Sequence, residues 1–380
     1  MMEQAARIAG YEGGDVLYMA LELSNQRWKL GFSNGVKQRQ KTVSAGELGT
    51  VVEEIARAKE KLKLKANARV VACFEAGRDG HWIHRWLTQI GVEALEIDSS
   101  SIERPQGRKH VKTDRRDVVK LLELLICHWL GLKKGFRVVR VPTEEAEASL
   151  RLHREHEQLV KQRTAVRNRM LSLLNLQGVK ELVLTRRFEG WLEEVRDWQG
   201  KRLSGELKAE LRRLQEQYAL FQSQLKTLDE AYRAELETDT RLSQQRVRLE
   251  QLRGIGPQGS RILAAEAFSW RRFRNTKEVG AMSGLTPTPD ESGELSREQG
   301  IGKHGNWRVR WIMIQLAWQW LRYQPDSALT QWFWRRFGHG GKRMRRIGIV
   351  ALARKLLIAL WKYVEHGVVP EGAVFKPATG

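Results

Sequence analysis

Eight residues, Leu207, Leu211, Leu214, Tyr218, Phe221, Leu225, Leu228 and Tyr232, recur at alternating intervals of four and three. That period commits the stretch to a helix with one apolar seam, and the seam must bury against another helix. Residues 144–176 are charged, read as helical, and place Leu152, Leu159, Val166 and Leu173 at seven-residue intervals. The pair fits a helical hairpin within one chain or a dimerising arm between two. Residues 177–203 are a less regular interruption. The seam divides the chain into segments 15–143, 144–250 (a long coiled-coil segment) and 251–365.

The first segment has another period. Val16 to Ser24 is a mostly apolar run with the length of a strand buried on both faces. Residues 27–32 alternate, and 40–43 continue as a third strand. A helical stretch at 46–63 precedes a second buried strand, Arg69 to Glu75, then a helix at 80–90 and a short strand at 94–97. Hairpin-connected strands followed by alternating helices and strands predict an α/β domain with a mixed sheet. Asp15 precedes the first strand and reads as a turn residue.

Partner chemistry follows from charge. The chain carries a net +21, with Lys and Arg spread along its length. A polyanion, nucleic acid first, is the expected partner. No apolar run is long enough to span a bilayer and no signal-peptide pattern opens the chain, so the expectation is a soluble cytoplasmic protein without membrane partners. Cys73 and Cys127 stand in apolar contexts without ligand spacing, which argues against zinc. Of fourteen tryptophans, several lie beside arginine; these suit core positions or base stacking.

Candidate chemistry gathers on acids. In Lys112-Thr113-Asp114-Arg115-Arg116-Asp117, the two aspartates are three apart at the start of a helix continued by Val118, Leu121, Leu122 and Leu125. That spacing puts both carboxylates on one helix face. Lys109, His110, Lys112, Arg115 and Arg116 surround them with positive charge, as suits either a metal-and-phosphate site or a solvated face. Glu22 and Glu75 stand in strands that read as buried, where an acid is costly unless paired or metal-bound. Together the four predict a cluster of hard oxygen ligands for Mg²⁺ or Mn²⁺.

The third segment opens with Gly254-Ile255-Gly256-Pro257 before a helix, a helix-hairpin-helix-like pattern whose glycines let backbone N–H groups approach a phosphate. A glycine- and proline-rich region follows, from Ser283-Gly284-Leu285-Thr286-Pro287 through Glu291-Ser292-Gly293 to Gly302-Lys303-His304-Gly305-Asn306; it reads as turn-rich loop. Helices are expected at 307–322, 327–337 and 344–364. Lys303, His304, Arg308 and Arg310, near a helix start, are candidates for phosphate contact.

The order of these motifs resembles the DEDD transposases of bacterial insertion sequences, over about residues 15–365. The most specific parts are Lys112 to Asp117 and Ser283 to Arg310. The resemblance implies an RNase H/RuvC-like domain, long helices and a helical serine-bearing domain. It puts the four acids at Glu22, Glu75, Asp114 and Asp117, with Glu22 standing where the family usually has Asp. It places the nucleophile at Ser292, with Ser296 the rival. It further implies donor and target DNA as substrates, a structured RNA from the element's flank as guide, and an assembly of two or four copies. Two other readings stay open. One is a RuvC-like nuclease in which water attacks. The other is a decayed nucleic-acid-binding scaffold, which the Glu22 departure keeps in view.

Overall fold

The computed structural model describes residues 16–77, 79–102, 114–132, 136–238, 240–292, 295–302 and 305–377. The chain separates into two compact units, residues 1–142 and 143–380.

In the first unit, β1 (Val16–Glu22), β2 (Arg27–Ser33) and β3 (Gln38–Ser44) form an antiparallel meander. Then come α1 (Leu48–Lys61), β4 (Arg69–Glu75), α2 (Trp82–Gln89), β5 (Glu93–Ile97) and α3 (Asp114–Trp129). The five strands run in the order β3-β2-β1-β4-β5, with β4 parallel to both β1 and β5. The apolar runs of β1 and β4 occupy the centre because both faces are covered. Leu17, Met19 and Leu21 face Val51, Ile55, Ala58, Ile83 and Leu87 of α1 and α2. Tyr18, Ala20, Val71 and Cys73 face Val118, Leu121, Leu122 and Leu125 of α3. Cys73 is buried, and burial pushes its thiol well above the usual range, as befits an inert core residue.

The second unit begins with two long helices, α4 (Glu144–Leu176) and α6 (Gly205–Leu236), separated by the short α5 (Phe188–Glu194). Thr143 and Ser204 cap the long helices through their side-chain oxygens. The seam pairs them within the chain: Leu159 packs with Leu225, Leu228 and Tyr232, and Met170 and Leu174 pack with Leu211 and Leu214. Earlier residues of α4 meet later residues of α6, so the helices are antiparallel. Phe188, Leu192 and Leu203, from the irregular interruption, close the far end of this hairpin.

The remainder is α7 (Arg241–Gln251), α8 (Pro257–Leu263), a π-helical turn at Ala264–Phe268, α9 (Thr276–Ser283), β6 (Pro287–Ser292), β7 (Leu295–Ile301), α10 (Trp307–Tyr323), α11 (Ala328–Phe337) and α12 (Lys342–His366). Their core gathers Leu252, Leu263, Phe268, Met313, Trp320, Phe333, Leu356 and Leu360. The region read as a loop contains instead a two-stranded ribbon, with Ser292 paired to Leu295 and Glu291 to Ser296. Proline is tolerated on the outer edge of a strand, where no partner needs its missing N–H. Pro287 and Pro289 are two apart and therefore point their backbone nitrogens the same way. Among the described residues no helix is long and apolar enough to cross a membrane.

Candidate active-site elements

Two separate elements carry the residues singled out by sequence, one in each unit. The first is the C-terminal edge of the five-stranded sheet. Glu22 ends β1 and Glu75 ends β4, on adjacent parallel strands, and both line one open cleft of about 450 Å³ together with Ser24, Asn25 and Asp79. Glu22 is half-buried and Glu75 exposed. This corrects the expectation of buried acids: each closes its strand, past the covered part of the sheet, where water or a ligand can solvate the charge.

The direction of α3 brings the aspartates to the same edge. Cys73 Sγ lies 3.6 Å from the Leu121 carbonyl, and the Arg69 guanidinium stacks 4.8 Å above the Trp129 ring. Leu121 to Trp129 is about 12 Å of helix, and Cys73 back to Arg69 about 13 Å of strand. Helix and strand therefore run antiparallel in step. From Leu121 back to Asp117 is about 6 Å, matching the roughly 6.6 Å from Cys73 on to Glu75. Asp117 thus stands level with Glu75, and Asp114 begins the helix one turn further out. The side chains of Asp114, Arg115 and Arg116 lie outside the described residues, as do Lys109, His110 and Lys112 entirely. Among the described residues, no three His, Cys, Asp or Glu side chains form a metal-ligand group. The donors placed at this edge are carboxylate oxygens, which fit a hard divalent cation. Asp79, which follows Glu75 by four residues, is an acid of this cleft that sequence reasoning passed over.

The second element is the ribbon β6–β7. Ser292 is the last residue of β6; its side chain lies outside the described residues, as do those of Glu291 and Ser296, and Lys303 and His304 entirely. The base of the ribbon is well defined. Gly302 N–H donates to the Thr286 carbonyl at 3.1 Å, and Asn306 N–H to the Met282 carbonyl at 2.7 Å. Gly305 has φ +93°, and a Cβ there would collide with the Met282 carbonyl oxygen, so this place takes glycine for two independent reasons. Asn306 caps α10: its Oδ1 accepts from the N–H groups of Arg308 and Val309 at 3.0 and 3.2 Å. Its Nδ2 donates to Glu266 at 2.8 Å.

Glu266 is the hub of this base. Its carboxylate is 1 % exposed and also accepts from His153 Nε2 at 2.8 Å and from Arg154 Nε and Nη2 at 3.0 and 3.1 Å. Burial alone would push its pKa up, but the hydrogen bonds and charges of His153 and Arg154 outweigh burial and hold it well below the usual carboxylate range. A lone acid in the apolar run Ala264-Ala265-Glu266-Ala267-Phe268 was the sequence signal for it, and it went unread.

Other candidates are engaged internally. Arg308 Nε donates to Glu157 at 2.8 Å, and Arg310 Nη1 donates to the Ser283 carbonyl at 3.0 Å. Gly254 has φ +87° and lies against Tyr323 and Gln319 of α10, whereas Gly256, the N-cap of α8, has open space beside it. Trp307, Trp311 and Trp318 are exposed along one face of α10, while Trp320 is buried.

Comparison with known proteins decides what these elements belong to. Residues 246–331, from α7 through the ribbon into α11, match the model of the "Transposase IS116/IS110/IS902 family". The "Putative transposase y4rJ" of Sinorhizobium fredii is 38% identical over 385 residues, covering 95% of this chain and 94% of the relative. The chain belongs to this transposase family. Transposases are enzymes, acting by phosphoryl transfer on DNA. More distant relatives include the "Transposase for insertion sequence element IS1328" of Yersinia enterocolitica, 25% identical over 305 residues (79% of this chain, 85% of the relative). The "Transposase for insertion sequence element IS1111A" of Coxiella burnetii is 25% identical over 288 residues (75% and 74%). The matched region of this IS110-family transposase holds the Glu266–Asn306 clamp and the serine ribbon together.

Proposed function

We propose that this transposase moves an insertion element by serine-based strand exchange, with the acids of the sheet edge acting on the same phosphate. The observation that carries the reading is that Glu22 and Glu75 line one open cleft at the sheet edge toward which the first turn of α3 runs. The strand order β3-β2-β1-β4-β5 further supports an RNase H/RuvC-like unit. Glu22, Glu75, Asp114 and Asp117 would hold Mg²⁺ or Mn²⁺, which when bound stabilises charge on the phosphoryl oxygens. Ser292 Oγ attacks the scissile phosphorus. The new O–P bond replaces the bond to a deoxyribose oxygen, the serine proton leaves to solvent or a nearby base, and the sugar departs with a hydroxyl. The phosphoserine link conserves the bond energy, so the reverse attack by another strand's hydroxyl reseals DNA.

Donor and target DNA are the substrates in this reading, and the net charge of +21 suits them. A structured RNA from the element's flank would choose the sites by base pairing, and two or four copies would bring one chain's acids to another's serine. The test is a covalent adduct assay on donor DNA. Ser292→Ala should abolish adducts and leave DNA binding intact, and Asp114→Asn should remove divalent-metal dependence together with strand transfer. Adducts that persist in Ser292→Ala move the nucleophile elsewhere. Cleavage without any adduct in the unmodified protein favours the nuclease reading, with water as nucleophile.

A further inference from the structure

The corner between α11 and α12 carries a charge pattern that packing does not explain. Arg335 and Arg336 end α11, and Lys342, Arg343, Arg345 and Arg346 begin α12; all six are exposed. No acid occurs between Asp326 and Glu365. Among the described residues none of the six has an ion-pair partner, and Arg345 donates to the Gly338 carbonyl at 3.2 Å. Cations suit the C-terminal end of α11, but four of them crowd the first five residues of α12, where the helix dipole is already positive and acids are the stabilising choice. The chain therefore concentrates positive potential here against its own folding preference.

This is also a built surface, distinct from a loose basic tail. Gly348 of α12 leaves no room for a Cβ against Phe337 of α11, so the two helices meet closely, and Gly338 and Gly340 are as tightly held in the turn between them, against Trp334 and Met344. Phe333 and Phe337 anchor the corner in the core. Trp334 stands 47 % exposed beside the arginines.

We propose that this corner docks the phosphate backbone of duplex DNA, the six cations spanning the turn and Trp334 lying against the sugar edge. The proposal rests on the transposase reading for its occupant, and charge complementarity selects that occupant: a dense row of cations without ion-pair partners, on a closely packed corner, matches a regular polyanion.

The test is fluorescence anisotropy of the full chain with a labelled duplex of unrelated sequence, over a salt series. In Arg343→Gln/Arg346→Gln the slope of log affinity against log salt should become shallower by about 2, at roughly 0.9 per phosphate contact. Arg343→Lys/Arg346→Lys should keep most of the slope. Removing two cations from this helix start relieves the dipole clash, so the melting temperature should not fall; if the double variant fails to fold, Arg335→Gln reads the same quantity with a change of about 1. An unchanged slope overturns the proposal. So does a loss confined to single-stranded RNA, or a change of oligomeric state with duplex affinity intact. Failure here is separable from failure of the serine mechanism: at saturating protein the corner variants still form phosphoserine adducts, whereas Ser292→Ala keeps the full salt slope.

Discussion

Two carboxylates, Glu75 and Glu266, stand in opposite surroundings in the two units. Glu75 closes a strand, exposed, in an open cleft shared with Glu22. Glu266 is buried and saturated by His153, Arg154 and Asn306. A buried acid with every oxygen engaged has nothing left to offer a substrate; its work is to hold elements together. Acids placed along one open edge gain little stability from their position, since like charges repel. Their placement makes sense through what they can bind. Burial and partner count thus separate an acid that fastens the fold from one left open to a ligand.

The sharpest way to break that contrast is to neutralise each acid in turn. Glu75→Gln should lower strand transfer by about a thousandfold or more, because metal-assisted charge stabilisation contributes several kcal/mol at about 1.4 kcal/mol per tenfold. Its stability should stay within about 0.5 kcal/mol of the parent. Glu266→Gln should do the reverse, costing on the order of 3–5 kcal/mol because it leaves the Arg154 and His153 donors poorly matched in a buried site. Adduct assays and denaturant titration on both variants check the pair. A Glu75 variant that is destabilised but active, or a Glu266 variant that is stable but inactive, would exchange their roles.

Next in size is Gly305→Ala. A Cβ at Gly305 strains a positive φ and pushes on the Met282 carbonyl that receives Asn306 N–H. The expected cost is about 1–3 kcal/mol. Because the clash lies at the base of the ribbon, adduct yield should fall further than thermal stability implies, while Gly256→Ala, at a place with open space, should change both little.

How much of this was legible without coordinates depends on the kind of signal. Long apolar runs and the heptad seam put β1, β4 and α4 within a residue or two and α6 within about four, because burial alone dictates those patterns. The ribbon β6–β7 was missed, since proline and glycine normally mark loops and their tolerance here depends on which strand edge is free. The four acids were legible as residue types; that Asp117 stands level with Glu75 was not, because only the antiparallel run of α3 across β4 sets that height. Arg308 and Arg310 read as phosphate contacts from spacing, yet Glu157 and the Ser283 carbonyl engage them. A sequence does not display which cation its own fold will consume.

The smallest expected effect tests the contrast through pH. The folded-state pKa of Glu266 is depressed below the ordinary glutamate value of about 4.3. A depressed carboxylate contributes stability that is fully present above the unfolded pKa. That contribution is lost as pH falls through the folded value, because the unfolded chain takes up the proton first. The parent protein should therefore lose stability progressively below about pH 5. Glu266→Gln, less stable throughout, should show a flatter acid limb, and the two curves should converge as the pH falls. Melting temperatures measured every half unit from pH 7 downward decide it: a Glu266→Gln curve parallel to the parent's would mean that the buried carboxylate is not ionised in the clamp, and the hub would then hold its donors by shape alone.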